Sequence, residues 1–184
     1  MKKATIILCI VLYSFLNAQE FPPIITNPLT TSGKLKINSR KGTLIEKRTV
    51  ELAKFKNLNI QKIVTKDMSD DYTETVLGIM YEYENFDNVS KNTYTIEKPE
   101  LSKLIQSLQL LEQKENETKS SQESKYKFFT MSNIEFGGVY NERRKSWTNY
   151  VKMPLTFLNQ NPSDFTKEEL KELINILKNA EKEL

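Results

Sequence analysis

The sequence predicts an α+β fold in which antiparallel sheet is covered by two packed amphipathic helices. Three observations lead to this expectation. Residues 128–153 alternate apolar and polar side chains along two arms, Ile134 to Tyr140 and Trp147 to Val151, which is the pattern of a β-hairpin. Apolar stripes at helical spacing follow Pro99 and Thr166. Each stripe predicts a helix that lies with one face on the sheet.

The N-terminal residues 1–18 have the layout of a secretory signal peptide. Lys2 and Lys3 precede an apolar run from Ala4 to Leu16, and Ala18 supplies a small residue at the cleavage position. The run is shorter than the roughly 20 apolar residues that span a bilayer, so we expect cleavage and no stable membrane span. The protein is therefore expected to be exported, to the periplasm or the extracellular space.

The rest of the chain is predicted to form a leader and one domain. Residues 19–32 contain three prolines and predict an extended leader. Residues 33–184 are long enough for a single α+β domain with its own core. The polar segment 113–125 is a candidate boundary, either between two domains or between two halves of one domain.

Composition limits the chemistry. Cys9 is the only cysteine and lies in the predicted signal peptide, and the chain contains no histidine. The mature chain therefore lacks disulfides, thiol nucleophiles, thiolate zinc sites and imidazole catalysts, and we expect no cofactor. Removal of Lys2 and Lys3 changes the balance from 27 basic and 24 acidic residues to 25 against 24. This near-neutral charge gives no support for nucleic acid as a partner.

The first half of the domain predicts strands connected by polar turns. Residues 43–56 also tolerate a helix, but their alternation favours a strand. In chain order, the predicted elements are a short strand at Leu35 to Ile37, a strand at Thr43 to Lys56, a hairpin of Asn59 to Thr65 and Tyr72 to Tyr83 closed by the acidic turn Asp67 to Asp71, a turn at Asn85 to Asn92 and a strand at Thr93 to Ile96.

The two helices are the best-defined elements. Pro99 suits the first turn of the first helix, and the polar segment Glu112 to Lys125 predicts a helix tail that runs into a loop. Thr166 and Glu169 form a capping box at the start of the second helix. The stripe positions are Leu101, Leu104, Ile105, Leu108 and Leu111 in the first helix and Leu170, Leu173, Ile174, Leu177 and Ala180 in the second.

Two sheet-plus-helix repeats are a further hypothesis. The segment Leu77 to Tyr81 resembles Phe136 to Tyr140, and a polar turn, a strand and a helix follow both. Either the chain contains a structural duplication, or two helices rich in Leu and Glu simply align this way. The helical matches, at one offset of 69 residues, are Glu100, Leu101, Leu104, Ile105, Leu108 and Glu112 with Glu169, Leu170, Leu173, Ile174, Leu177 and Glu181.

Cationic and aromatic residues meet at the hairpin turn, which is the candidate surface binding site. Arg143 and Arg144 stand beside Trp147 and Tyr150, and cations next to aromatic rings can hold phosphates, sugars or carboxylates. The simpler alternative is a solvated turn above a buried tryptophan. Trp147 and Tyr150 point to opposite faces of their strand, so we do not expect one aromatic platform.

Carboxylates form the second candidate. Asp67, Asp70, Asp71 and Glu74 could bind calcium or share acid/base work, but their spacing lacks the glycine and distal glutamate of an EF-hand loop, so an acidic hairpin turn is preferred. A hydrolase would instead need two carboxylates about 5 to 9.5 Å apart in one cleft. The candidates for that alternative are Asp70, Asp71, Glu82 and Glu84.

Gly137 and Gly138 are the only adjacent glycines. A glycine pair cradles phosphate when it precedes a helix, but this pair lies inside a strand pattern. We therefore expect a bulge, or a place where another side chain packs close to bare backbone. No catalytic or metal-binding residue is predicted.

Several features together resemble the small uncharacterised exported proteins common in Bacteroidota. These are the lysine-led signal that ends in Leu-Asn-Ala-Gln, the helix with Leu-Ile-x-x-Leu at Leu104 to Leu108, and Phe136-Gly-Gly-Val-Tyr followed by Trp147. The resemblance implies an α+β fold and supplies no activity. A repeated sheet-plus-helix unit is also similar in outline to the Whirly and PUR nucleic-acid binders, but export and near-neutral charge argue against their function here.

The missing catalytic residue types favour a noncatalytic exported binding module that recognises a protein or glycan through a sheet or hairpin surface. Two alternatives remain at this stage. One is a carboxylate-dependent hydrolase of the cell envelope, and the other is a protein inhibitor or immunity-type partner that works by surface complementarity.

Overall fold

The computed structural model describes residues 41–85, 88–117, 123–154 and 163–184. Within these ranges the chain forms two four-stranded antiparallel sheets and two helices, which confirms the α+β prediction. The signal peptide, the leader and the strand predicted at residues 35–37 lie outside the described residues. The elements are β1 (Ile45–Phe55), β2 (Leu58–Asp67), β3 (Thr73–Asn85), β4 (Asn88–Ile96), α1 (Lys98–Glu117), β5 (Ser124–Phe129), β6 (Glu135–Asn141), β7 (Ser146–Lys152), β8 (Ser163–Phe165) and α2 (Lys167–Glu183).

The first sheet is a meander in the order β1-β2-β3-β4. β1 is a strand, as the alternation favoured, with a bulge between Glu51 and Ala53. The hairpin of β2 and β3 is also confirmed. The prediction for β4 was wrong at its start, because the strand begins at Asn88 rather than after a long turn. A cross-strand ion pair, Lys91 Nζ to Glu82 at 2.7 Å, supports this extra length of polar strand.

The second sheet has the order β5-β6-β7-β8. The predicted β6–β7 hairpin is confirmed, and its register places Phe136 opposite Val151 and Tyr140 opposite Trp147. Two strands were missed. β5 takes residues 124–125 from the segment that was predicted as a helix tail and loop, and the three-residue β8 directly precedes α2. Both strands gain their structure from pairing with β6 and β7 rather than from a strong pattern of their own.

Both helices place their predicted stripes in the interior. All ten stripe positions are buried, and the capping box of Thr166 and Glu169 is present at the start of α2. The helices run antiparallel. Ser102 Oγ, near the start of α1, donates to Glu181 near the end of α2, and Lys167 at the start of α2 donates to Asn116 near the end of α1.

Each half of the described chain is a four-stranded meander followed by a helix, so the sheet-plus-helix repeat is present in the topology. The helices begin at Lys98 and Lys167, which is the predicted offset of 69 residues. The proposed strand match was wrong. Residues 77–81 lie in the third strand of their sheet, whereas residues 136–140 lie in the second strand of theirs. All half-buried strands share the same alternation of apolar and polar residues. Two strands at different positions in their sheets can therefore match in sequence without being equivalent.

One continuous core connects the two halves. α1 contacts β3, β5 and β6, and α2 contacts β1, β2 and β7, so each helix touches both sheets. Phe55 and Phe165 also meet edge to face, with ring centroids 5.4 Å apart. Burying a large apolar side chain contributes roughly 1.5–3 kcal/mol, so this shared interior is the main source of stability. Among the described residues, no helix is long and apolar enough to cross a membrane.

Candidate functional site

The second sheet turns one face toward the helices and the other toward solvent. Directly paired residues of antiparallel strands share a face, so Lys127 with Gly137, and Gly137 with Tyr150, lie on the face away from the core. This outer face holds a cavity of about 390 Å³, which we name the Tyr150 groove. It is lined by Lys125, Lys127, Glu135, Val139, Asn141, Arg144, Thr148, Tyr150, Lys152 and Asp164.

Tyr150 forms the floor of the groove because Gly137 leaves room for it. A Cβ atom on Gly137 would lie 2.7 Å from Tyr150 Oη and would also collide with the backbone oxygen of Tyr126. Gly138 does the same on the inner face, where an added Cβ would lie 2.8 Å from Leu111 Cδ1. The β6–β7 register is unbroken at both positions. The glycine pair therefore marks close approach of side chains on two faces, not a bulge.

A hydrogen-bonded network fixes the floor. Tyr150 Oη donates to Glu135 Oε1 at 2.7 Å, and Lys127 Nζ lies 3.3 Å from the same oxygen. Burial and the Glu135 carboxylate both raise the pKa of Tyr150, so the phenol keeps its proton. Desolvation tends to raise the pKa of Glu135, but the hydrogen bonds from Tyr150 and Lys127 outweigh it and the net shift is downward. Glu135 is therefore ionised and already paired.

The remaining cations of the groove are available to a ligand. Lys125 Nζ stands 5.5 Å from the centroid of the Tyr150 ring. Within the described part of the chain, no ion pair joins Lys125, Arg144 or Lys152 to a carboxylate. The groove is lined by four cationic side chains and two carboxylates. One of these carboxylates, Glu135, already accepts a hydrogen bond from Tyr150 and pairs with Lys127. The arrangement attracts an anionic group.

The structure separates the four residues of the predicted surface site. Arg144 and Tyr150 line the groove. Arg143 is exposed on the β6–β7 turn and does not line it. Trp147 lies on the opposite face, with its ring centroid 5.8 Å from Tyr126 and 5.5 Å from Tyr140. The prediction that Trp147 and Tyr150 do not form one platform is confirmed.

Sequence reasoning missed the three lysines of the groove. Lys125 and Lys127 alternate with aromatic residues on β5, and Lys152 lies two residues after Tyr150 on β7. The alternation Lys-Tyr-Lys-Phe was visible in the sequence. The predicted helix tail and loop extend to Lys125 and the predicted hairpin begins only at Phe128, so Lys125 and Lys127 have no predicted strand beside Tyr150.

The aspartates of the β2–β3 turn form hydrogen bonds and an ion pair within the turn region. Asp67 is fully buried, and its Oδ1 accepts hydrogen bonds from Ser69 N at 2.9 Å and Ser69 Oγ at 2.6 Å. Asp70 accepts from Tyr72 N, and Asp71 pairs with Lys66 at 2.7 Å. The bonds of Asp67 and Asp70 to the backbone N–H two residues on are those of Asx-type turns. Within the described ranges, no group of three acidic side chains is arranged to hold a metal ion.

Among the described residues, the turn aspartates named for a hydrolase do not share a cleft with Glu82. Asp70 and Asp71 lie at one end of β3, and Glu82 lies near its other end, where it pairs with Lys91. The side chain of Glu84 lies outside the described residues. A two-carboxylate mechanism needs both groups on either side of one bond, so a pair of Glu82 with Asp70 or Asp71 does not support it.

Comparison of the chain with protein-family models, with curated proteins and with solved structures gave no match.

Proposed function

We propose that the protein is an exported, noncatalytic binding module that holds an anionic group of a glycan or protein partner in the Tyr150 groove. Export rests on the signal-like N-terminal sequence. The ligand class rests on one observation, the cations Lys125, Arg144 and Lys152 around a fixed Tyr150 floor, which no ion pair joins to a carboxylate among the described residues. A carboxylate, sulfate or phosphate would pair with these cations without displacing an existing ion pair.

The geometry favours binding over catalysis. The acid nearest the floor, Glu135, accepts from Tyr150 and pairs with Lys127, so it is held as an ionised hydrogen-bond acceptor. A general acid or base must exchange its proton with a substrate near neutral pH, and neither the lowered pKa of Glu135 nor the raised pKa of Tyr150 suits that task. Both residues suit a rigid, charged surface instead.

The test is titration of the mature chain with defined polymers, measured by isothermal calorimetry. Polygalacturonate and heparin carry carboxylates and sulfates on sugars, polyglutamate carries carboxylates on a peptide, and dextran is the neutral comparison. We expect at least one anionic polymer to bind and dextran not to bind at the groove. Affinity should fall as salt rises, because salt screens the attraction between exposed charges, with a Debye length of about 8 Å at physiological ionic strength.

A charge-matched pair of variants separates the groove from net charge. The triple variant Lys125→Met, Arg144→Met, Lys152→Met should weaken binding at least tenfold, which is about 1.4 kcal/mol. The control triple variant Lys47→Met, Lys103→Met, Lys171→Met removes three exposed cations elsewhere and should bind like the parent chain. Equal losses in the two variants, or no binding of any anionic polymer, would contradict the proposal.

A further inference from the structure

The free side of β5 is an open edge of the second sheet, which we name the β5 edge. β5 pairs with β6 through six consecutive residues, Ser124 to Phe129, without a bulge, and no described strand pairs with its other side. The opposite edge strand, β8, has only three residues and leads directly into α2. Proteins commonly shorten or bulge their edge strands, because unpaired backbone groups can bind another strand. β5 is neither short nor bulged.

The alternation of hydrogen bonds shows which backbone groups of β5 point to this edge. Just after the strand, Thr130 N donates to Ile134 O at 2.9 Å, in the register that joins β5 to β6. Along an antiparallel ladder, hydrogen-bonded pairs alternate with pairs that are not hydrogen-bonded. The even-numbered residues of β5 therefore bond with β6. The N–H and C=O groups of Lys125, Lys127 and Phe129 point away from it.

Contacts of the β5–β6 turn limit the length of the open edge. Met131 N donates to the carboxylate of Glu100 in the first turn of α1, and Ser132 Oγ donates to Thr95 O on β4 at 2.7 Å. The turn is thus joined to α1 and β4. The edge that remains open is five residues long, 125–129, which is the length of a short strand.

The two faces of β5 carry different side chains. Lys125 and Lys127 lie on the outer face and line the Tyr150 groove. Tyr126 and Phe128 lie on the inner face, where the Tyr126 ring is 5.8 Å from Trp147 and the side chain is 39% exposed. A strand added to β5 would place alternate side chains beside the cations on one face and beside aromatic rings on the other.

A small apolar cavity lies on the inner side of the edge, between α1 and β5. Its volume is about 160 Å³, and its walls include Leu110 and Leu111 on α1 and Tyr126 and Phe128 on β5. Leu110 is 53% exposed, so the cavity opens to solvent beside the edge. An apolar cavity of about 150 Å³ can hold benzene, so this one has room for a single aliphatic side chain.

A second copy of the chain fits this edge poorly. Two β5 strands that join antiparallel through their outward backbone groups pair the most residues when the centre is Tyr126 or Lys127. The first arrangement places Lys125 opposite Lys127, and the second places Lys127 opposite its own counterpart. Like charges directly opposite each other are destabilising, whereas opposite charges attract. The two lysines therefore favour a strand with acidic residues.

We propose that the β5 edge binds an extended peptide segment of a protein partner in which acidic and apolar residues alternate, as an added strand of the second sheet. The acidic side chains face Lys125 and Lys127, and an apolar side chain enters the cavity beside Leu110. In strand addition, main-chain hydrogen bonds supply affinity and pockets for alternate side chains supply specificity. Lys125 also lines the Tyr150 groove, so this site rests in part on the proposed function, whereas the backbone edge and the apolar cavity are independent of it.

The experiment is an NMR titration of the ¹⁵N-labelled mature chain with the capped peptide Gly-Ser-Glu-Leu-Glu-Val-Glu-Ser-Gly, to roughly 1 mM. The backbone amides of Lys125, Lys127 and Phe129 should exchange hydrogen about tenfold more slowly when the peptide is at about ten times its Kd, because these N–H groups gain an acceptor. The amides of Tyr126 and Phe128 already bond with β6 and should change little.

Methylated peptides test the strand pairing itself. Residues opposite Lys125 and Lys127 exchange backbone hydrogen bonds with them, so the N–H of each peptide Glu points to β5. N-methylation of the central Glu should weaken binding at least tenfold, which is about 1.4 kcal/mol. N-methylation of Leu, whose N–H points away from β5, is the matched control and should weaken binding less than about threefold. A peptide with Lys in place of every Glu should not bind.

A pair of exposed leucines tests the apolar cavity. Leu110→Gln should weaken peptide binding about fivefold without unfolding the chain, because Leu110 is largely exposed. Leu44→Gln, at a position that is 74% exposed and outside the second sheet, should bind the peptide like the parent chain. Unprotected β5 amides, equal binding of the two methylated peptides, or protection that depends on protein concentration without peptide would overturn the proposal. The last result would assign the edge to a second copy.

Failure of this site and failure of the proposed function have different signatures. If polygalacturonate or heparin binds at the Tyr150 groove while the peptide leaves the β5 amides unprotected, the strand-addition site alone is wrong. If the peptide protects these amides while the triple variant Lys125→Met, Arg144→Met, Lys152→Met binds the polymers like the parent chain, the site stands and the proposed function is wrong.

Discussion

Glu115 is a buried carboxyl group, and within the described ranges no ion pair joins it to a cation. It lies on α1, and its Oε1 accepts from Asn149 Nδ2 on β7 at 2.6 Å. Glu115 Oε2 and Asn149 Oδ1 are both buried without a partner within the described part of the chain. Desolvation raises the pKa of Glu115 and outweighs the contribution of Asn149. A protonated Oε2 is a donor, and Asn149 Oδ1 is the acceptor that lacks one, so the neutral acid suits this amide better than the carboxylate does.

The replacement Glu115→Gln should therefore stabilise the fold at neutral pH by about 1 kcal/mol, because the amide keeps the acceptor and supplies the missing donor. The pKa of Glu115 is higher in the folded chain than in the unfolded chain. Its favourable contribution is present below the unfolded pKa, and it is lost as pH rises through the raised folded pKa. The difference in unfolding free energy between the variant and the parent chain should grow over that interval in urea titrations.

The matched control is Glu112→Gln, which removes the same charge from the same helix at a half-buried position. This control is needed because Glu112 and Glu168 raise the pKa of Glu115 while Lys167 lowers it. A general charge effect would stabilise both variants alike. If Glu115→Gln and Glu112→Gln gave the same pH profile, the carboxyl–amide pairing would be wrong.

The packing of β6 against β7 depends on Gly137, a strand position without a side chain. Gly137 lies between the backbone oxygen of Tyr126 and the ring of Tyr150, and neither can move without breaking the sheet or the groove floor. Gly78 on β3 is its counterpart in the first sheet. An added Cβ there would lie 2.6 Å from Ile63 Cδ1, which is the end of a flexible side chain.

We expect Gly137→Ala to cost about 3 kcal/mol in unfolding free energy, the upper end of the cost of overpacking. Gly78→Ala should cost no more than about 1 kcal/mol, because a rotamer change of Ile63 relieves its contact. Thermal and urea unfolding of the two variants measure the difference. Equal costs would show that the two strands tolerate a side chain equally and that Gly137 does not determine the position of Tyr150.

For the whole molecule, local patterns predicted the elements whose signals lie within one segment. The β6–β7 hairpin has a complete alternation in its own sequence, and both helices have complete apolar stripes. The second helix also has a cap. The missed strands β5 and β8 are short and depend on neighbours for their pairing. The Tyr150 groove depends on that pairing as well, because Lys125 and Lys152 come from strands on either side of β6.

The buried polar groups were hidden from sequence reasoning for the same reason. Glu115 lies in a segment that is polar throughout, and only its contact with Asn149 on a distant strand shows that it is buried. Asn59 stands between apolar neighbours on β2, and its unused oxygen becomes visible only after the contact with Glu51 is known. Periodicity predicts which face a residue occupies, but it does not predict which partner a polar group finds there.

The shared core predicts that the two halves unfold together. Leu104 on α1 is completely buried, and α1 contacts strands of both sheets. Leu104→Ala should therefore lower the unfolding free energy by about 2–5 kcal/mol and shift the transition of the whole chain. Trp147 is the only tryptophan and lies in the second sheet, so its fluorescence reports whether damage in the first half reaches the second.

Leu110→Ala is the control on the same helix, because Leu110 is 53% exposed and its truncation should change stability by no more than about 0.5 kcal/mol. In Leu104→Ala, the urea midpoint from Trp147 fluorescence should fall together with the midpoint from far-ultraviolet circular dichroism, which follows all strands and helices. If the Trp147 midpoint stayed at the parent value while the dichroism lost amplitude early, the halves would be separate folding units. Coincident shifts are expected, since the ten buried stripe residues of α1 and α2 belong to one cluster that draws on both sheets.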